Sequence, residues 1–173
     1  MDIKAILTDK TLKPKETTEA IQQLLTDKTI TPAELIAVAN TCKDPAKATC
    51  IEAIEFATNG GAVAIAPADL QWIIERLAEK APRIKWESAK VIGNTIHLHP
   101  DLIPTATNQL LVNTEHSGTV VRWSAAFALG QILKLKTAIN DTLVPAAMAI
   151  MEREEKNSIK KIYAAALKKV GKV

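Results

Sequence analysis

The feature that most constrains this chain is a segment that recurs at a spacing of 37 or 38 residues. Residues 83–96 read RIKWESAKVIGNTI and residues 120–133 read VVRWSAAFALGQIL. Lys85-Trp86 aligns with Arg122-Trp123, Ala89 with Ala126, and Ile92-Gly93 with Leu129-Gly130. Weaker copies begin at Lys47 (KATCIEAIEF) and at Ser158 (SIKKIYAAALKKVG). Self-similarity at this period marks a stacked helical repeat, because each unit exposes an apolar face that only its neighbours can cover.

The repeating unit is a helix pair. TPAELIAVA from Thr31 and APADLQWII from Ala66 align with Pro32 on Pro67 and Leu35 on Leu70. A proline in the first helical turn loses no hydrogen bond, since its N–H would be unpaired there anyway. Thr31 is placed to cap, and Glu34 favours the positive end of the helix dipole. The first thirty residues carry a shorter repeat, AILTDKTLKP against QLLTDKTITP, offset by 18 residues. Turn chemistry then predicts helices over 2–8, 14–26, 31–42, 45–58, 67–80, 82–97, 100–113, 118–135, 139–154 and 157–171. Asn59-Gly60-Gly61 reads as a loop, and no segment alternates apolar and polar residues as a strand would. In the second helix of the marked units, Ala89, Ile92, Gly93 and Ile96 share one face, as do Ala126, Leu129, Gly130 and Leu133. Glycine costs a helix about 1 kcal/mol against alanine, so its return at one register predicts close helix approach there.

The pattern resembles the HEAT-repeat family of α-solenoids over about residues 31–173. The carrying residues are Ile84-Lys85…Ala89…Ile92-Gly93 and Val121-Arg122…Ala126…Leu129-Gly130. The last copy keeps Ile159-Lys160…Ala164…Leu167 but has Lys168 for the glycine, and the first has Glu55 there. Of the aspartates usual in the turn between the family's two helices, Asp44 matches, whereas Glu115 and Asn157 are approximate. The resemblance implies an all-α, right-handed α-α superhelix of about four helix pairs plus an N-terminal helical cap. The expected organisation is one domain, with a cap over 1–30 and repeats over about 31–65, 66–98, 99–136 and 137–173. The family implies a binding scaffold and no particular chemistry.

Few residues offer catalysis. His97, His99 and His116 are the only histidines, and no cysteine or carboxylate is tied to them at metal-ligand spacing. Cys42 and Cys50 form no metal or redox motif and are expected as packed thiols. No phosphate loop, nucleophile elbow or paired-carboxylate motif is present. The expectation is a protein that is not an enzyme and uses no cofactor or metal. No apolar run reaches the roughly 18–20 residues of a membrane helix, and the N-terminus lacks a signal-peptide core, so a cytoplasmic protein is expected.

The candidate binding surface is Lys85, Trp86, Lys90, Arg122, Trp123, Lys160 and Lys161. Lys47, Lys85, Arg122 and Lys160 form one column in a stack; such cations either hold anionic ligands or tie neighbouring turns together through carboxylates. Trp86 and Trp123 either pack between helices or face a partner. The second helices carry net charges of −1, +2, +3 and +5 in chain order, the first helices −1, −1, −1 and −3. Since second helices line the concave side of HEAT stacks, the resemblance implies a basic inner face, most basic near the C-terminus. The leading expectation is a scaffold for a protein partner with an acidic segment. The alternative is nucleic acid, on a resemblance to the HEAT-like alkylpurine DNA glycosylases, which hold DNA in a basic groove; no residue here matches their catalytic aspartate. The HEAT-like lyases that attach bilin pigments share the repeat alone.

Overall fold

A computed structural model describes residues 2–172; Met1 and Val173, the outermost residues of the expected domain, lie outside it. The described chain has ten α-helices: α1 (Ile3–Thr8), α2 (Pro14–Thr26), α3 (Pro32–Asn40), α4 (Asp44–Thr58), α5 (Pro67–Arg76), α6 (Pro82–Thr95), α7 (Ile103–Asn113), α8 (Thr119–Lys134), α9 (Asn140–Arg153) and α10 (Asn157–Lys169). No strand occurs among the described residues.

Local chemistry places most boundaries. Prolines open α2, α3, α5 and α6, where a missing N–H is harmless. Thr31 Oγ1 accepts from the Glu34 amide at 3.2 Å, and Glu34 accepts from the Thr31 amide at 2.7 Å, a reciprocal capping box. Every predicted helix except α2 shifts at one or both ends by one to four residues, and three of them show the cause. Residues 77–80 leave α5 through i→i−3 bonds, Leu77 N–H to Ile74 O and Ala78 N–H to Glu75 O. α6 ends at Thr95 and tightens into a 3₁₀ turn at Ile96–Leu98. α7 starts at Ile103, after a 3₁₀ turn at Pro100–Leu102, because Pro104 has no N–H to donate to Pro100. The Asn59–Gly61 link is a 3₁₀ turn in which Gly60 and Gly61 have φ of 77° and 79°, conformations that favour glycine.

The helices assemble as two layers. The most extensive contacts run between consecutive second helices, α2 on α4, α4 on α6, α6 on α8 and α8 on α10. Each second helix also packs on the helix before it. The N-terminal cap, α1 with α2, is thus a shorter helix pair added to the same layers. One continuous apolar core runs through the stack, with Ile21, Leu35, Ile51, Ile73, Ile92, Leu110, Leu129, Ile132 and Tyr163 all fully buried. The arrangement is an α-α superhelix. No helix among the described residues is long and apolar enough to cross a membrane.

The repeated glycines sit where second helices meet. A Cβ on Gly93 would lie 2.3 Å from Phe127 Cε1, so the Phe127 ring occupies the space a side chain would fill. A Cβ on Gly130 would lie 3.3 Å from Ile162 Cγ2 and 3.7 Å from Ala166 Cβ. Gly93→Ala is therefore expected to destabilise the protein by about 1–3 kcal/mol through overpacking. Gly130→Ala should stay within about 1 kcal/mol of the native chain, because helix propensity offsets a small shift. Urea unfolding of both variants checks the difference.

Candidate functional site

The cation column forms a ladder between repeats. Lys47 Nζ lies 3.7 Å from Glu79 Oε1, beyond the end of α5. Lys85 Nζ donates to Leu77 O at 2.9 Å and to Asn113 Oδ1 at 3.3 Å, at the end of α7. Arg122 Nε donates to Glu154 Oε2 at 2.9 Å, just past α9, and Nη1 donates to the carbonyls of His116 and Ser117 at 3.0 and 3.1 Å. Each rung thus reaches from a second helix to the end of the following first helix. Lys160 stands at the last rung and has no carboxylate within 4.0 Å among the described residues. Burial lowers the Lys85 pKa despite Glu79 nearby. The hydrogen bond from Arg122 holds the Glu154 carboxyl below its ordinary range.

The side of the second helices turned away from the first-helix layer presents a stripe at helical spacing. On α6 it comprises Arg83, Trp86, Glu87 and Lys90; on α8, Val120, Trp123 and Phe127; on α10, Lys161, Ala165 and Lys169. Charges on the amino-terminal half are spent on one another. Arg83 Nη2 donates to Glu52 Oε2 at 2.8 Å. Lys90 Nζ sits 3.4 Å from Glu55 Oε2 and 3.1 Å from Glu87 Oε2. Burial disfavours the Lys90 ammonium, but Glu87 and Glu55 outweigh it and its pKa is raised. The half-buried Trp86 donates from Nε1 to Glu87 Oε1 at 2.7 Å. Glu87 is 3% exposed, and its desolvation outweighs Lys90 and raises its pKa.

The carboxyl-terminal half differs. Trp123 is 38% exposed and Val120 52%. The Trp123 and Phe127 rings stack at 6.0 Å with 6° between their planes. Lys161 and Lys169 are exposed without a carboxylate within 4.0 Å among the described residues, as are Lys134 and Lys168. α8 and α10 contain no aspartate or glutamate.

The seven candidate residues therefore separate. Lys85 and Arg122 hold repeats together, and Lys90 and Trp86 belong to a half-buried cluster around the buried Glu55 and Glu87. Trp123, Lys160 and Lys161 remain available. Phe127 and Val120 lie outside the surface expected from sequence, yet the repeat carries their signal: Phe127 aligns with Lys90 and Val120 with Arg83. An apolar residue at a position that is charged in the neighbouring copy marks a face relieved of its ionic role.

Other reactive groups are in structural use. His99 Nε2 lies 2.8 Å from Ile65 O, tying two interhelix connections. The Gly118 amide donates to His116 Nδ1 at 2.9 Å. Cys42 and Cys50 are free thiols, and burial pushes Cys50 up to about 12. Trp72 lies in the first-helix layer, donating to Asn40 Oδ1 at 3.0 Å beneath the Arg76 guanidinium.

No protein-family model matches the sequence, and no curated protein matches it. Solved structures do. A chain from the complex of CpcE and CpcF of phycocyanin lyase from Nostoc sp. PCC7120 is similar with a TM-score of 0.70 and 15% identity, over 95% of this chain and 96% of that one. An engineered protein is similar with a TM-score of 0.65 and 13% identity, over 98% of this chain and 80% of that one. The likeness is one of fold, and it agrees with the HEAT-like repeat architecture.

Two measurements probe this geometry. Arg122→Met leaves the buried Glu154 carboxylate without its guanidinium and is expected to cost about 3 kcal/mol. Lys160→Met, which breaks no rung, should change stability by less than about 0.5 kcal/mol. The two acids respond to pH with opposite signs. Glu154 contributes stability above the ordinary glutamate value of 4.5, lost as pH falls through its lowered pKa. Glu87 favours the folded state when protonated, a contribution lost as pH rises through its raised pKa. In a variant retaining only Trp86 among the tryptophans, indole emission should change with a midpoint above 4.5, and Glu87→Gln should abolish the change.

Proposed function

We propose that this protein is a non-catalytic interaction scaffold that binds an acidic protein segment on the carboxyl-terminal half of its second-helix layer. The observation that carries this reading is the uneven neutralisation of charge. Over α4 and α6 the cations are matched by Glu52, Glu55 and Glu87; on α10 the lysines are matched by nothing among the described residues. An uncompensated cationic face attracts anions and accelerates their encounter. The binding face expected from sequence thus contracts toward Trp123, Lys160 and Lys161.

The non-catalytic part of the reading is supported by the structural employment of His99 and His116 and by the burial of Cys50. A protein-binding role also agrees with the likeness to a chain that is solved in complex with another protein. Nucleic acid is the less supported partner. A groove that follows a phosphate backbone needs a row of available cations, and Lys85, Lys90 and Arg122 are held by groups of the protein itself.

The test is an array of acidic, neutral and basic peptides probed with the purified protein, beside anisotropy of labelled duplex DNA at about 50 and about 200 mM salt. The expected outcome is retention on acidic peptides only, lost in Lys161→Glu/Lys169→Glu with unchanged thermal stability. DNA binding that is tight at low salt and collapses at high salt would replace this reading with the nucleic-acid one.

A further inference from the structure

The exposed stripe on α8 is apolar where the equivalent stripe on α6 is ionic. Val120, Trp123 and Phe127 stand where Arg83, Trp86 and Lys90 stand one repeat earlier. The Trp123 ring, stacked parallel on the half-buried Phe127 ring, forms an apolar plate, and Val120 extends it by a helical turn. The plate is fixed in place. Phe127 lies on the bare backbone of Gly93, so the ring is seated by α6 and holds Trp123 beside it. Across the α8–α10 contact, Lys161 takes the Trp123 position and Lys169 the Gln131 position of the next repeat. An apolar plate therefore has lysines along its α10 side and no acid on either helix.

Resting on the acidic-segment reading above, the geometry points to the form of that segment: a short acidic motif with one aromatic anchor. The anchor packs against the exposed Trp123 ring, which Phe127 backs, and flanking carboxylates meet Lys161 and Lys169. Aromatic rings prefer offset stacking or edge contact with other rings, so the exposed Trp123 ring, oriented by Phe127, selects a ring in its partner. Anchors of this kind dominate affinity, whereas rim charges govern the rate of encounter and its salt dependence. A single-stranded nucleic acid also offers rings and negative charge. The peptide is favoured because the plate is a single pair of rings with cations on one side, whereas a strand of stacked bases needs successive platforms along a track of cations.

The experiment uses four labelled twelve-residue peptides, acidic or glutamine-substituted, each with phenylalanine or alanine at the centre, and a labelled twelve-residue oligothymidylate. Anisotropy is read against the full-length protein. The expected result is binding of the acidic phenylalanine peptide alone, weakened at least about tenfold in Trp123→Ala and in Phe127→Ala. Lys161→Glu/Lys169→Glu should abolish this binding, and the neutral pair Lys161→Met/Lys169→Met should weaken it and remove most of its salt dependence. Trp123→Ala, at a partly exposed site, keeps the test decisive where Phe127→Ala loosens α8. Equal binding of the acidic alanine peptide overturns the anchor while leaving the acidic-segment reading intact. Equal binding of the glutamine-substituted phenylalanine peptide overturns the role of the lysines and that reading with it. No binding of any peptide overturns the motif, and the peptide array then decides the broader reading. Tighter binding of the oligothymidylate overturns both.

Discussion

A helix pair cannot bury its own apolar faces, and the whole molecule follows from the way its second helices meet that demand. α2, α4, α6, α8 and α10 lie side by side, each covering the apolar face of the one before. Close approach depends on what stands at one register of each second helix. At Gly93 the absence of a Cβ lets the Phe127 ring rest on backbone, and at Gly130 Ile162 and Ala166 approach likewise. Glycine is a poor helix residue, and its two occurrences here are explained by packing between helices, not by flexibility. At the carboxyl-terminal end Lys168 takes this register and is exposed, so the outermost face is polar.

The same stacking decides which charges can act. A cation at the start of a second helix falls beside the end of the next first helix, so Lys47, Lys85 and Arg122 become rungs. Their charge serves to satisfy carboxylates, a side-chain amide and backbone carbonyls. Lys160 escapes only because no described pair follows it. One register thus holds structural cations in three repeats and an available one in the fourth.

The contrast between α6 and α8 follows from a small exchange of residues. Lys90 in α6 reaches back to Glu55 of α4, an ionic contact between neighbouring helices. At the equivalent interface Phe127 of α8 reaches back to Gly93 of α6, an apolar one. Replacing the ion pair by a ring on glycine gives a fixed aromatic surface in place of a neutralised polar one. The surface that results is apolar and stands beside lysines that have no carboxylate within 4.0 Å among the described residues.

Much of this was legible in the sequence. The period of 37 or 38 residues, the prolines that open first helices and the glycines at one register determined an all-helical stack. Helix existence was sound throughout; ends moved by one to four residues, the largest shifts falling where hydrogen bonding turned 3₁₀, at Leu77 and Pro100. These signals are local, being written in residues three and four apart and in the turns between them. The candidate site was legible only in part. Lys85, Lys90, Arg122 and Trp123 carry the same character in the sequence, and no local rule separates them. Tertiary structure alone decided that the first three are satisfied by groups from 3 to 35 positions away, while Trp123 stays open beside Phe127. The physical reason is that a charge is neutralised by what lies within a few ångströms in space, and in a stack that neighbour belongs to the next repeat.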